Sequence, residues 1–306
     1  MADYLVTGGA GFIGSNLVHT LHARGDSVRV LDNLTTGLPQ NLADIRSDID
    51  LVEGDFRDRA TVDAAMKGVK RVIHIGALPS VSRSVEDPGE SNAVNITGTL
   101  NLLESARDAG VERFVFSSSS SVYGNTPTLP KEESMTPSPL SPYALQKLAG
   151  EHYCRIFHEL YGLNTYALRY FNVFGPRQNP ASQYAAVLPL FIGAGLRGEA
   201  PVIHGDGGQT RDFTYVEDVV RANLCCCEAS EDAAGGAYNV AWGNRLSVLD
   251  LATLILKQLG RSDIEPVHVE SRAGDVRDSQ ADNTRARTLL GWDPQVTFEE
   301  GLAQLL

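Results

Sequence analysis

A doubly wound α/β chain is the architecture this sequence predicts, and three observations carry the prediction. The apolar run Leu5-Val6 breaks into Thr7-Gly8-Gly9-Ala10-Gly11 and resumes as the apolar-periodic Phe12-Ile13-Gly14, which reads as strand, tight turn and helix. Apolar strands then alternate with amphipathic segments through the first half, the habit of a parallel sheet covered on both faces. A second strand, Ser27 to Leu31, ends at Asp32, roughly 20 residues past the glycines.

Each part of that opening has a physical reason. Gly8 permits the sharp turn, Gly11 lets backbone approach a pyrophosphate, and Gly14 lets the new helix pack close to the sheet. Phosphate oxygens can then sit on the free N–H groups and positive dipole end of that helix. Asp32 stands where a carboxylate hydrogen-bonds an adenosine ribose, and its charge would repel a 2′-phosphate, so the pattern is a Rossmann-type dinucleotide fingerprint that favours NAD over NADP.

The 306 residues suit one large α/β unit or two closely joined domains. With 38 acidic against 26 basic residues the net charge is −12, which argues against a nucleic-acid or anionic-membrane partner. The chain enters a strand almost at once and has no long apolar span, so a cytoplasmic location is expected. Cys225, Cys226 and Cys227 are consecutive on a predicted helix and Cys154 stands alone, which fits neither a disulfide framework nor a metal site.

Further along, Asp50 to Glu53 reads as a short strand ending in Gly54-Asp55-Phe56, where Asp55 is placed to reach an adenine amino group. Arg71 to Ile75 is a strand running into Gly76 and Ala77, small residues that leave room for a cofactor, followed by the polar loop Pro79 to Ser84. Asn92 to Asp108 is an amphipathic helix carrying Asn95. Arg113 to Phe116 is a buried strand leading into Ser117-Ser118-Ser119-Ser120-Ser121-Val122-Tyr123-Gly124, five hydroxyls at the end of a strand where α/β sheets bind ligands.

Ser141-Pro142 suits a helix start, and Tyr143 and Lys147 then stand one turn apart on the same face. A phenol of pKa about 10 is a poor base at neutral pH, and moving it about three units needs roughly 4 kcal/mol of phenolate stabilisation. A lysine ammonium and an oxidised nicotinamide can supply it. With a serine hydroxyl holding the substrate oxygen, the phenolate removes an alcohol proton while hydride leaves the carbon.

Taken together, Thr7 to Gly14, Asp32, Asn95, the serine run, Tyr143 and Lys147 resemble the extended short-chain dehydrogenase/reductase family across essentially the whole chain. Within it the sequence is most similar to nucleotide-sugar 4-epimerases of the UDP-galactose and UDP-N-acetylglucosamine type. The resemblance implies Ser119, Tyr143 and Lys147 as the catalytic set. It implies a cofactor site of Gly8, Gly11, Phe12, Ile13, Gly14, Asp32, Asn33, Asp55, Phe56, Ile75, Gly76, Ala77, Asn95, Ser117 and Tyr170, together with Tyr143 and Lys147. Gly76 departs from the pattern, where alanine is more usual.

For the substrate, the resemblance places Ser120, Ser121 and Ser80 near the sugar and Asn172 near the diphosphate. Arg211 and Arg272 supply two guanidinium forks suited to a diphosphate. Asp275 is implied at the nucleotide ribose, and Ala186, Val187 and His204 against uracil. Ser279, four residues past Asp275, replaces the bulky tyrosine of epimerases restricted to unsubstituted hexoses, so an N-acetyl group is expected to be tolerated. Arg177 lies in a Gly-Pro-Arg-Gln stretch similar to that of some UDP-glucuronate 4-epimerases, which keeps a uronate as the alternative substrate.

Related dehydratases and decarboxylases carry an acid in the serine stretch, whereas Ser120 and Ser121 offer only hydroxyls, so a 4-keto sugar should be reduced again with inversion. The alternatives of another nucleotide-sugar dehydratase or oxidoreductase, or of a non-catalytic NAD-binding regulator, remain beside this reading. The expected division is an NAD-binding domain of residues 1–173 joined by 214–241, and a smaller discontinuous C-terminal substrate domain of 174–213 and 242–306. A homodimer is implied, pairing Asn92 to Asp108 and Tyr143 to Leu160 across the interface.

Overall fold

The computed structural model describes residues 2–179, 187–270 and 277–306. Seven strands, Tyr4–Thr7, Val28–Asp32, Asp50–Glu53, Arg71–His74, Arg113–Ser119, Thr165–Tyr170 and Ala237–Val240 (β1 to β7), form one sheet in the order β7-β6-β5-β4-β1-β2-β3 with every pairing parallel. The order reverses between β1 and β4, and the crevice outside the carboxyl ends of strands at such a reversal is where open α/β sheets hold ligands.

The strands read as continuous apolar runs because both faces are covered. Tyr4, Val6, Ile73, Val115 and Leu168 face one buried cluster, into which the helices Phe12–Ala23 and Val216–Glu228 pack. Leu5, Val72, Phe114, Phe116 and Ala167 face the other, under the helices Arg59–Met66, Thr99–Asp108 and Pro142–Tyr161. A separate apolar cluster around Phe174, Phe191, Ile203, Phe213, Leu251 and Ile255 lies in the C-terminal part.

Two elements differ from expectation for physical reasons. The segment expected as one helix over Asn92 to Asp108 starts earlier, at Pro88, where Asp87 accepts from the Glu90 N–H, and contains a π-helical stretch at Ala93–Gly98 before Thr99–Asp108. Strand β5 extends to Ser119, so three of the five serines are strand residues and the rest open a 3₁₀ turn, Ser120–Tyr123. Among the described residues the four cysteines are free and no group of side chains could hold a metal. No described helix is long and apolar enough to cross a membrane.

Candidate active site

The glycine turn is fixed by close approach. Gly8 has φ +67°, and a Cβ on it would lie 2.6 Å from the Gly76 Cα; a Cβ on Gly14 would lie 2.1 Å from the Gly8 carbonyl oxygen. The helix beginning at Phe12 has no side-chain cap, which leaves its first N–H groups facing the crevice. Asp32 is buried; its Oδ2 accepts from the Ala10 N–H at 2.9 Å and its Oδ1 from the Leu34 N–H at 2.8 Å. Burial raises its carboxyl above the ordinary value, and both amides oppose that rise.

Around this turn lies a cavity of about 600 Å³, lined in part by Gly8, Gly11, Phe12, Ile13, Asp32, Asn33, Phe56, Ile75, Gly76 and Ala77. Ser80, Ser119, Ser120, Ser121, Tyr143, Tyr170, Asn172 and Arg177 line the remainder. These residues fit a dinucleotide: a cradle that any Cβ would fill, an uncapped helix start and a buried carboxylate at the ribose end. Ser121 Oγ is buried there without a hydrogen-bond partner in the protein, which leaves it for a polar group of a ligand.

Tyr143 and Lys147 are placed by the helix Pro142–Tyr161. Ser141 caps it by accepting from the Ala144 N–H, Pro142 occupies its first turn, and a Cβ at Gly150 would lie 2.3 Å from the Phe116 ring, so the helix lies directly on β5. The Tyr143 hydroxyl lies beside Ser119, which favours its ionised form, and the Ser119 Oγ accepts from the Ser121 N–H. Lys147 is buried, with Nζ donating to the Ser117 carbonyl at 2.7 Å and lying 5.9 Å from the Tyr143 ring centre. Burial pushes the Tyr143 phenol up to about 12, against the pull of Ser119, and pushes Lys147 down to about 7.

A second cavity of about 270 Å³ is lined by Val187, His204, Arg211, Phe213 and neighbouring apolar side chains. Asn172, Val173 and Gln178 line both cavities, so the two meet there. Asn172 sits at φ +25° with its amide donating to the Asp212 carbonyl at 3.1 Å. Arg211 donates to the Thr210 carbonyl, and His204 is held to the Glu270 carbonyl.

Not every expected residue lines a cavity. Asn95 is buried behind the wall: its amide pairs with both backbone groups of Leu78 and donates to Gln146 Oε1 at 2.8 Å, so it positions the loop after β4. Asp55 stands just outside, gripped by Arg57 and Asn33, and Arg57 holds its carboxyl down near 2. Gly14 and Ser117 act through the backbone packing already described. Ser279 is half-buried and lines neither cavity, its N–H donating to the Thr210 carbonyl beside Arg211. Arg177, at φ +66°, donates to Asn16 Oδ1 on the first helix at 2.9 Å. Ala186, Arg272 and Asp275 lie outside the described residues.

Several contributors were not singled out in the sequence. His74 is buried between Thr7 and Thr99, at 2.7 and 3.0 Å. The Thr99 hydroxyl donates to the Asn95 carbonyl, so it accepts from His74 Nε2–H, and Nδ1 accepts from Thr7, whose oxygen takes the Gly76 N–H. That chain ties β1, β4 and the Asn95 stretch together; a histidine inside an apolar strand was its signal. Asp212, fully buried, accepts from the Gly243 and Ala281 N–H groups and so ties three loops behind Asn172. Glu151, one turn beyond Lys147, could have been found from the same spacing that paired Tyr143 with Lys147.

A glycine cradle at the reversal of a parallel sheet, a buried carboxylate at the end of β2 and a tyrosine, lysine and serine gathered at the end of β5 are the features of a dinucleotide-dependent enzyme of the Rossmann class. Residues 4–241 match the model of the NAD dependent epimerase/dehydratase family, and the chain belongs to that family. It is 43% identical to a UDP-glucose 4-epimerase of Mycolicibacterium smegmatis, over 98% of this chain and 96% of the relative. Among solved structures, the UDP-glucose 4-epimerase of Thermotoga maritima with UDP-glucose is similar at 40% identity and TM-score 0.93, covering 98% of this chain and 96% of that one. A UDP-N-acetylglucosamine 4-epimerase of Methanobrevibacter ruminantium, in complex with UDP-N-acetylmuramic acid, is similar at 41% identity and TM-score 0.93, covering 99% and 96%.

Proposed function

We propose that this NAD-dependent enzyme is a 4-epimerase of UDP-hexoses, accepting UDP-N-acetylglucosamine and UDP-N-acetylgalactosamine as well as UDP-glucose and UDP-galactose. The observation that carries the reading is the meeting of two cavities at Asn172: one ends at the Tyr143–Ser119 pair, the other is lined by Arg211, His204 and Val187. A nucleoside diphosphate in the second presents its sugar to the first.

In this reading Ser119 holds the sugar 4-oxygen by a hydrogen bond, and Tyr143 takes its proton and later returns it. Lys147, fixed on the Ser117 carbonyl, is held near the phenol, and its protonated form favours the phenolate. NAD, when bound, supplies the acceptor and later the donor of hydride, and its oxidised ring adds positive charge that favours the phenolate. Ser120 and Ser121 provide no carboxylate for abstracting a ring proton, which favours return of the hydride over elimination. The uronate alternative rests on Arg177, whose bond to Asn16 gives it a structural partner and weakens that reading.

The division into residues 1–173 with 214–241, against 174–213 with 242–306, is supported by the place of β7 in the sheet and by the separate cluster around Phe213 and Leu251. Homodimerisation through the Tyr143–Leu160 region is supported by the exposed Leu145, Leu160 and Tyr161.

The test is to incubate the purified protein, without added NAD, with UDP-N-acetylglucosamine, UDP-glucose and UDP-glucuronate separately and resolve the C4 epimers by proton NMR. Conversion of the first two is expected. Conversion of glucuronate alone would move the reading to Arg177, and no conversion even with NAD supplied would refute it.

A further inference from the structure

The helix that carries Tyr143 and Lys147 presents a third polar residue at the same four-residue step, Glu151, and all three reach the end of β5. Tyr143 meets Ser119, Lys147 meets Ser117, and Ser118 Oγ donates to Glu151 Oε1. Glu151 is gripped from the next strand by Arg169, Nε to Oε1 at 2.9 Å and Nη2 to Oε2 at 2.7 Å. Arg169 Nη1 donates to the Tyr123 hydroxyl at 2.8 Å, which donates to Asn239 Oδ1 at 2.7 Å. Asn239 in turn donates to the carbonyls of Lys131 and Asp282. Ser118, Tyr123, Glu151, Arg169 and Asn239 are all buried.

We infer that the Glu151–Arg169 pair is the positioning device of this active site: it sets the Ser118–Ser119 strand end against Tyr143 and keeps the buried charge beneath Lys147 balanced. The inference rests on the epimerase reading for its kinetic consequence, but its electrostatic consequence does not.

Hydrogen bonds from one helix face to Ser117 and Ser118, with Tyr143 beside Ser119, hold the helix against sliding along β5, so Ser119 and Tyr143 stay in register. A fully paired carboxylate and guanidinium, one helical turn beyond Lys147, contribute almost no net charge at the phenol, so removing either partner leaves one unbalanced charge beneath it. Of the other titratable groups near this face, Glu133, which accepts from the Asn239 N–H and lies in the field of Arg169 and Tyr123, is common to every variant below. His74 on β4 is held uncharged by burial, and burial raises Cys154 and Tyr170, which stay neutral. Arg57 and Glu90 are paired with one another, and Arg83, which lines the cavity, is common to every variant below.

The test uses variants of opposite sign. Glu151→Gln leaves Arg169 uncompensated and should move the Tyr143 titration down by about one pH unit; Arg169→Gln leaves Glu151 uncompensated and should move it up by about as much. The titration is read without substrate, as ultraviolet phenolate absorbance after subtraction of a Tyr143→Phe background. The paired variant Glu151→Gln with Arg169→Gln should bring it back near the starting value. On UDP-sugar turnover, Ser118→Ala, which cuts the link without burying a charge, should lower kcat about tenfold with KM within about twofold and no shift in the titration.

Either single-charge variant that folds decides the electrostatic part, and an unmoved titration, or equal shifts in single and paired variants, overturns it. Wild-type kcat in Ser118→Ala overturns the positioning part. An inactive wild-type protein would instead count against the epimerase reading, and the titration would still decide the charge balance.

Discussion

Replacing Gly14 by alanine adds one methyl where the structure has no space for it. The new Cβ would stand 2.1 Å from the Gly8 carbonyl oxygen and 2.8 Å from the Gly9 Cα. Ordinary contact begins near 3.4 Å, so the turn must retreat by roughly 1 Å. Gly8 has nowhere to go: its N–H donates to Leu31, its carbonyl accepts from the Gly11 N–H, and it abuts Gly76. Overpacking of this kind costs about 1–3 kcal/mol, and about 2 kcal/mol falling on the phosphate-binding turn is roughly a 30-fold loss in NAD affinity. Calorimetric titration with NAD measures it, together with the melting temperature with and without NAD. Gly25→Ala is the control, since its site at φ +82° is strained for alanine but has nothing within 4 Å. It should cost about 1 kcal/mol of stability and leave NAD affinity alone. NAD binding by Gly14→Ala within threefold of wild type would refute the assignment of this turn to the cofactor.

Tyr143→Phe should cut epimerisation by about 10²–10⁴-fold while circular dichroism and NAD binding stay unchanged; retained turnover would remove Tyr143 as the base. Ser279→Tyr should abolish turnover of UDP-N-acetylglucosamine and spare UDP-glucose, read by the same NMR assay, with equal loss on both counting against a size gate beside Arg211. Burial, with the nearby Lys147 charge, lowers His74 to about 3 from an ordinary value of 6.5, so between these values the unfolded chain binds the extra proton. Stability tied to neutral His74 is therefore complete above about pH 6.5 and drains away as pH falls toward 3. His74→Gln should flatten the acid side of a melting-temperature profile from pH 7 to pH 4, and an unchanged profile would refute that role.

The glycine turn, Asp32 and the Tyr143–Lys147 spacing were readable because each is local: a turn needs glycine within a few residues, and a helix repeats its face at four. Asn95 was read as touching the cofactor, yet its amide is spent on Leu78 and Gln146, a partner choice set by residues far along the chain. The Gly-Pro-Arg-Gln stretch offers Arg177 as a ligand for a uronate carboxylate, and the guanidinium is bonded to Asn16 on the first helix. Long-range pairings of this kind leave no periodic trace.

The sequence by itself therefore determined the strand–helix alternation, the tight glycine turn and the helix that carries Tyr143 and Lys147, because hydrophobic period, glycine sterics and capping act over a few residues. Tertiary structure alone decided that two cavities meet at Asn172, that His74 ties β1 to the Asn95 stretch, and that Glu151 and Arg169 lock under the serine strand. The reason is burial. A polar group taken from water must find a partner among whatever the fold brings near, and that choice is made only once sheet and helices have closed around it.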